Sequence, residues 1–186
     1  LDMRFYGSAM RMPHVQGAFQ QRLIVDARQC HLINEGIALE EAAFAEPFAV
    51  TLHAMVRAGS LANKTVLVTG CGPIGALAIA AARLHGARDI IATDVSDFTL
   101  GLARRMGADH TINVANTPDA MTALKAGKGV IDVVIEASGN ESALRHALEC
   151  LRPRGVLLQL GLGGDISIPQ NMIVAKEIEL LIRAKL

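Results

Sequence analysis

The run Gly70-Cys71-Gly72-Pro73-Ile74-Gly75 constrains this chain more than any other feature. It follows a β-branched stretch, residues 65–69, and opens an Ala-rich stretch, residues 74–85, that reads as a helix ending at Gly86. The spacing is G-x-G-x-x-G, and each glycine has a physical reason. Gly70 permits a tight turn off the strand. Gly72, with no side chain, lets a pyrophosphate approach the backbone, and Gly75 lets the helix pack closely on the sheet. Pro73 and Ile74 lie inside the same turn. The first N–H groups of a helix have no intrahelical partner and carry partial positive charge, so the turn is suited to a diphosphate. The spacing alone is weak. Its position between a strand and a helix raises it to a dinucleotide-binding turn, against the alternative of a glycine turn with no ligand.

From Lys64 onward, strands and helices alternate. Strands are expected over residues 65–69, 89–93, 111–114, 130–137, 155–160 and 178–182, with a short exposed one at 165–168. Helices are expected over 74–85, 96–106 and 141–150, and a weaker one over 118–125. Half the residues are apolar but only 3% are aromatic, so Val, Ile, Leu, Ala and Met must fill the core. Apolar strands alternating with helices predict an α/β class fold, a doubly wound six-stranded parallel sheet of Rossmann type. Residues 1–36 differ. They are rich in turn formers, with extended runs at 19–25 and 30–33, and read as a β-rich piece of a neighbouring domain. A turn at 39–45 and a helix at 47–57, with Pro47 in its first turn, lead into the sheet. The expected division is 1–45 and 46–186.

Asp94 closes the second strand. A carboxylate there can accept both ribose hydroxyls of an adenosine and repel a 2′-phosphate. No Arg or Lys stands among Val95, Ser96, Asp97 and Phe98 to hold such a phosphate, which favours NAD over NADP. The alternative is that Asp94 caps the next helix, a task Ser96 could equally perform. Two more loops leave strand ends: Ser138-Gly139, and Gly161-Leu162-Gly163-Gly164. Either can lie against a nicotinamide ribose or be an ordinary glycine turn.

Eighteen basic and eighteen acidic residues cancel, so net charge favours neither nucleic acid nor an anionic membrane. No apolar run is long enough to span a bilayer. Cys30, Cys71 and Cys150 are widely separated with no C-x-x-C, which argues against a disulfide framework or a structural zinc and suits a reducing cytoplasm. Cys71 reads as a small apolar filler or as a reactive thiol near a helix start. None of the six histidines forms a tight ligand pair. His53 lies seven positions after Glu46, on roughly the same helix face. The chain starts at Leu1 and stops at Leu186 on an apolar strand, so it is expected to be a piece of a longer polypeptide.

Taken in order, Gly70 to Gly75, Asp94, Glu136-Ala137-Ser138-Gly139 and Gly161-Leu162-Gly163 resemble the medium-chain, zinc-dependent dehydrogenases. Ala45-Glu46-Pro47-Phe48-Ala49-Val50 resembles the sorbitol dehydrogenase branch. Residues 2–10, 161–164 and 175–178 extend the similarity to sugar-acid dehydrogenases of that branch. The resemblance reaches about Glu179, and residues 180–186 depart from the family pattern. It implies a GroES-like catalytic domain, of which residues 1–45 would be a remnant, joined to a Rossmann domain. Zinc would polarise the substrate oxygen of a polyol or sugar acid, and hydride would pass to NAD. Glu46 would stand beside the catalytic zinc, directly or through water. Its Cys and His-Glu partners and the structural zinc lobe would lie outside these residues. Tyr6 and Phe5 would line the substrate pocket. The edge strand at 165–168 would form a homodimer or homotetramer interface. The fragment itself would bind NAD weakly and hold no complete zinc site. Two other readings remain open: an adenosylmethionine-dependent methyltransferase, which the sixth strand and the glycine spacing count against, and a non-catalytic nucleotide-binding module.

Overall fold

The computed structural model describes residues 5–8 and 12–182. The chain divides between Ala43 and Phe44 into two compact units. In the first unit the described residues form one 3-10 turn, Ala27–Gln29, and a four-residue helix α1, Leu39–Ala42, and no strand. The extended runs expected at 19–25 and 30–33 are therefore not strands. Their apolar and β-branched residues suit an extended backbone, but a strand exists only where another backbone accepts and donates its hydrogen bonds. Here Phe19, Ile24 and Leu32 are fully exposed instead.

The second unit carries α2 (Ala45–Ala58), β1 (Thr65–Thr69), α3 (Pro73–Leu84), β2 (Asp89–Asp94), α4 (Asp97–Arg105) and β3 (His110–Asn113). It continues with β4 (Ile131–Glu136), α5 (Glu141–Cys150), β5 (Leu151–Gln159), α6 (Gln170–Ala175) and β6 (Glu179–Ile182). The six strands form one sheet in the order β3-β2-β1-β4-β5-β6, and every pairing is parallel. The order reverses between β1 and β4, where crevices open at the carboxyl ends of the strands.

Both faces are covered, which is why the strands are apolar throughout rather than alternating. On one face Val66, Val68, Ile90, Ala92, Val133 and Ile135 pack with Met55 of α2 and with α3. Ala78, Ala81 and Ala82 of α3 are fully buried; side chains this small let helix and sheet approach closely. On the other face Leu67, Val134 and Leu157 meet Leu144, Ala147 and Leu148 of α5. Asn140 caps α5 by accepting a hydrogen bond from the Ala143 N–H at 3.1 Å.

Two further expectations change. Residues 118–125 form a 3-10 helix rather than an α-helix, with Pro118 at its start. Residues 165–168 are not a strand, because β6 holds the sheet edge and offers them no ladder. The short α6 stands just after them. Of the divergent tail, residues 180–182 belong to β6 and pair with β5, and residues 183–186 lie outside the described residues, as do 2–4 and 9–10 of the N-terminal resemblance. Among the described residues no helix is long and apolar enough to cross a membrane.

Candidate functional site

The parallel register lines up the strand ends. Thr93 of β2 faces Thr69 of β1, Thr69 faces Glu136 of β4, and Glu136 faces Gln159 of β5. This polar row sits on the α5 face, at the point where each strand gives way to a loop.

Gly70 leaves β1 with φ +83, a left-handed turn that a side chain would strain, and a Cβ there would lie 2.7 Å from the Ser138 backbone. A Cβ on Gly75 would lie 1.8 Å from the Gly70 carbonyl oxygen. Gly72 is different: a Cβ there would meet nothing within 4 Å. It is the N-cap of α3, no side chain caps that helix, and Pro73 occupies the first turn. The turn is thus closed on the protein side at Gly70 and Gly75 and open on the solvent side at Gly72. An open cradle at an uncapped helix start is the shape a diphosphate needs.

Asp94 is drawn to this turn. Its Oδ2 accepts the Cys71 N–H at 2.6 Å, and its Oδ1 accepts the Ser96 N–H at 3.0 Å. It does not cap α4, whose N-cap Ser96 likewise makes no side-chain cap bond, and it borders a cavity of about 310 Å³. Thr69, Gly70, Val95, Ser138, Asn140 and Ala143 help to line that cavity. Cys71 is fully buried, its Sγ 3.6 Å from the Thr93 carbonyl oxygen. Burial, with the charge of Asp94 adding to it, pushes its thiol up to about 12. The filler reading of Cys71 holds, and the reactive-thiol reading does not.

The loops after β4 and β5 are pressed together. A Cβ on Gly139 would lie 2.6 Å from the Leu162 carbonyl oxygen, one on Gly161 2.2 Å from the Gly139 nitrogen, and one on Gly163 1.7 Å from the Gly139 oxygen. Leu162 itself projects outward, 81% exposed. Beneath both loops lies Glu136, fully buried, with Thr69, Ser138, Gly139 and Gln159 as donors. Read from sequence, Glu136 was an interruption in an apolar strand and part of a family motif, not a site residue. The signal available was a carboxylate inside an otherwise apolar run, immediately before Ser-Gly.

Glu46 is exposed in the first turn of α2 and does not line the Asp94 cavity. Among the described residues no three His, Cys, Asp or Glu side chains gather to hold a metal, so the residues present do not fit a zinc centre. His53 is half-buried and part of no such group. In the first unit, the Tyr6 hydroxyl donates to Gln29 at 3.3 Å.

Comparison with known proteins places this geometry in a lineage. A family model described as zinc-binding dehydrogenase matches residues 73–183. L-Idonate 5-dehydrogenase (NAD(P)(+)) of Escherichia coli (strain K12) is 43% identical over 180 residues, covering 96% of this chain and 52% of the relative. Sorbitol dehydrogenase of Bacillus subtilis (strain 168) is 39% identical over 163 residues, 86% of this chain and 46% of its own length. The crystal structure of L-idonate 5-dehydrogenase from Escherichia coli str. K-12 matches with a TM-score of 0.94 at 42% identity, over 99% of this chain and 53% of that one. The chain spans about half the length of the curated relatives it matches.

Proposed function

The chain belongs to the zinc-binding dehydrogenase family, and from that premise we propose that it is the cofactor-binding half of an NAD-dependent polyol or sugar-acid dehydrogenase. The observation that carries the reading is the cradle at Gly72, open to solvent beside an Asp94 carboxylate tied into the same turn. The adenosylmethionine alternative loses its footing with the family assignment.

In this reading the N–H groups of Gly72, Ile74 and Gly75 at the start of α3 hold the diphosphate, while Gly70 makes the turn off β1 and Pro73, which has no N–H, sets the first helical residue. Asp94 accepts the adenosine ribose hydroxyls and, being acidic with no cation following it, disfavours a 2′-phosphate. Ser138 and Asn140 line the cavity that Asp94 borders. Gly139, Gly161 and Leu162 present backbone to the nicotinamide side. When bound, NAD supplies the acceptor for a hydride from the substrate carbon; the chain's own part is to bind and orient it and to keep its reactive face fixed.

Residues 1–45 serve as a remnant of a GroES-like catalytic domain and 46–186 as the NAD domain. In the whole protein, Glu46 would stand at the zinc site, Tyr6 would line the substrate pocket, and residues 165–168 would pair between subunits of a cytoplasmic homodimer or homotetramer. Similarity to an enzyme named for L-idonate supports L-idonate, oxidised at C5 to 5-ketogluconate, as the first substrate to test. The chain of 186 residues, with no zinc-ligand group among its described residues, is expected to oxidise none by itself.

The test is a fluorescence titration. The chain has no Trp, so NADH emission can be followed without energy transfer from tryptophan. Emission should rise and shift to the blue as the chain is added. NAD should displace NADH, NADP should do so poorly, and adenosylmethionine not at all. No enhancement with correctly folded chain would overturn the cofactor reading. Oxidation of L-idonate by this chain alone would overturn the division of labour.

A further inference from the structure

Glu136 is the one fully buried acidic side chain among the described residues, and cofactor binding as set out above does not use it. A buried carboxylate is costly unless it is fully satisfied, so its place at the end of an apolar strand calls for a reason. Its partners supply one. Oε1 accepts the Ser138 N–H at 2.9 Å, the Ser138 hydroxyl, the Gly139 N–H at 3.1 Å and the Thr69 hydroxyl at 3.4 Å. Oε2 accepts the Gln159 side-chain amide at 2.6 Å and shares the Gly139 N–H at 3.1 Å. The second amide hydrogen of Gln159 goes to the Gly161 carbonyl oxygen at 2.9 Å. The Glu136 carbonyl also receives the Leu160 and Gly161 N–H groups, each at 2.8 Å.

Every partner is a donor, and the two oxygens serve different loops. Oε1 holds the loop after β4, which borders the Asp94 cavity. Oε2, through Gln159, holds the loop after β5. The fit leaves no slack, since a Cβ on Gly161 would lie 2.5 Å from Oε2. A glutamine of the same shape could keep its carbonyl at Oε1. It would then turn an NH2 toward Gln159, whose own amide is already committed to Gly161. A carboxylate accepts in both directions; an amide does not.

The geometry points to Glu136 as a positioning residue that locks the β5 loop against the β4 loop, and so fixes the nicotinamide half of the crevice independently of the adenosine half. This rests on the dinucleotide reading above. The consequence is a selective defect. Glu136→Gln should spare the contacts of Oε1 and break the Gln159 bridge to Gly161. Gln159→Leu should break the same bridge from its other end, with Glu136 left in place.

The experiment measures two ligands on the intact chain. NADH is titrated directly, and ADP, which reaches only the glycine turn and the Asp94 side, is titrated by displacement of NADH. Both variants are expected to bind NADH about tenfold more weakly, the size of one lost hydrogen bond to a charged group. Their ADP affinity should stay within about twofold of the parent. Equal loss of both ligands would mean a general packing role and would overturn the inference, as would unchanged NADH binding in variants that melt cooperatively. If Glu136→Gln does not fold, Gln159→Leu carries the test alone. A parent chain that binds ADP and not NADH, or neither, would strike the dinucleotide reading itself and is distinguished by that control.

Discussion

The contrast between Gly72 and Gly75 turns the shape of the glycine turn into a measurement. Gly75→Ala places a methyl 1.8 Å from the Gly70 carbonyl oxygen and 2.9 Å from its carbon. Backbone cannot rotate away as a side-chain tip can, so α3 or the turn must move by more than about 1 Å, overpacking that costs about 3 kcal/mol. For a chain of this length that lowers Tm by roughly 6–12 °C. Gly72→Ala meets nothing within 4 Å, and its φ of −63 and ψ of −172 are open to alanine. Alanine is a poorer N-cap than glycine by less than about 1 kcal/mol, and the stiffer unfolded chain returns about 0.4–1 kcal/mol. The two nearly cancel, and Tm should stay within about 3 °C. The methyl would, however, stand where the diphosphate must touch backbone, so the Kd for NADH should rise at least about tenfold, as for one lost charge-assisted hydrogen bond. Thermal melts paired with NADH titrations read both quantities. Parent-like NADH affinity in Gly72→Ala would refute the argument for close backbone approach. A parent-like melt for Gly75→Ala would refute the packing argument.

Three further outcomes follow from the same geometry. Asp94→Ser removes the carboxylate that faces the crevice, so NADH should weaken while NADPH gains, shifting their affinity ratio by about tenfold or more; an unchanged ratio in parallel titrations would dissociate Asp94 from cofactor choice. Native chain at pH 8 should yield one thiol to a disulfide reagent, the exposed Cys30. Burial holds Cys71 up to about 12 and Cys150 up to about 11, so these two should react only after unfolding, and Cys30→Ser should leave none reactive in the native state. Burial works to raise Asp109, but the Ile90 N–H and the Arg83 guanidinium hold it below the ordinary carboxylate value. A depressed carboxyl gives stability that is present above its unfolded pKa of about 3.9 and is lost as pH falls through the folded value. Melts of Asp109→Asn below about pH 4 should therefore decline less steeply than the parent's, and equal slopes would count against the pairing.

The sheet was legible because its constraints are local and repeated. Thr65–Thr69 reads as a strand from four β-branched residues and as an interior one from the absence of alternation, and Gly70 and Gly86 punctuate either side of α3. Each neighbouring strand repeats that signal, so single errors of one or two residues at helix ends do not disturb the topology. The first unit was misread for the opposite reason. Residues 19–25 carry the same kind of pattern, yet pattern expresses only a willingness to pair, and the partner decides. Residues 165–168 failed in the same way: an exposed alternating run at an edge is a strand only when something docks on it.

The site divides along a related line. Gly70, Gly72, Gly75 and Asp94 were legible because each answers a need within one strand–turn–helix unit, where sequence distance and spatial distance nearly coincide. Glu136 was not, because its meaning lies across strands. Its register with Thr69 on one side and Gln159 on the other, residues 67 and 23 positions away, makes a carboxylate the junction of two loops. No window along the chain contains that relation. Along the chain, Asp132 and Glu136 are equivalent polar breaks in β4. In the sheet, Asp132 binds the Thr65 N–H and Arg152 at the amino end, away from the crevice. Glu136 binds at the carboxyl end, where ligands sit in open α/β sheets. Strand direction, a property of the fold and not of either residue, is therefore what separates a structural acid from one placed to shape a binding loop.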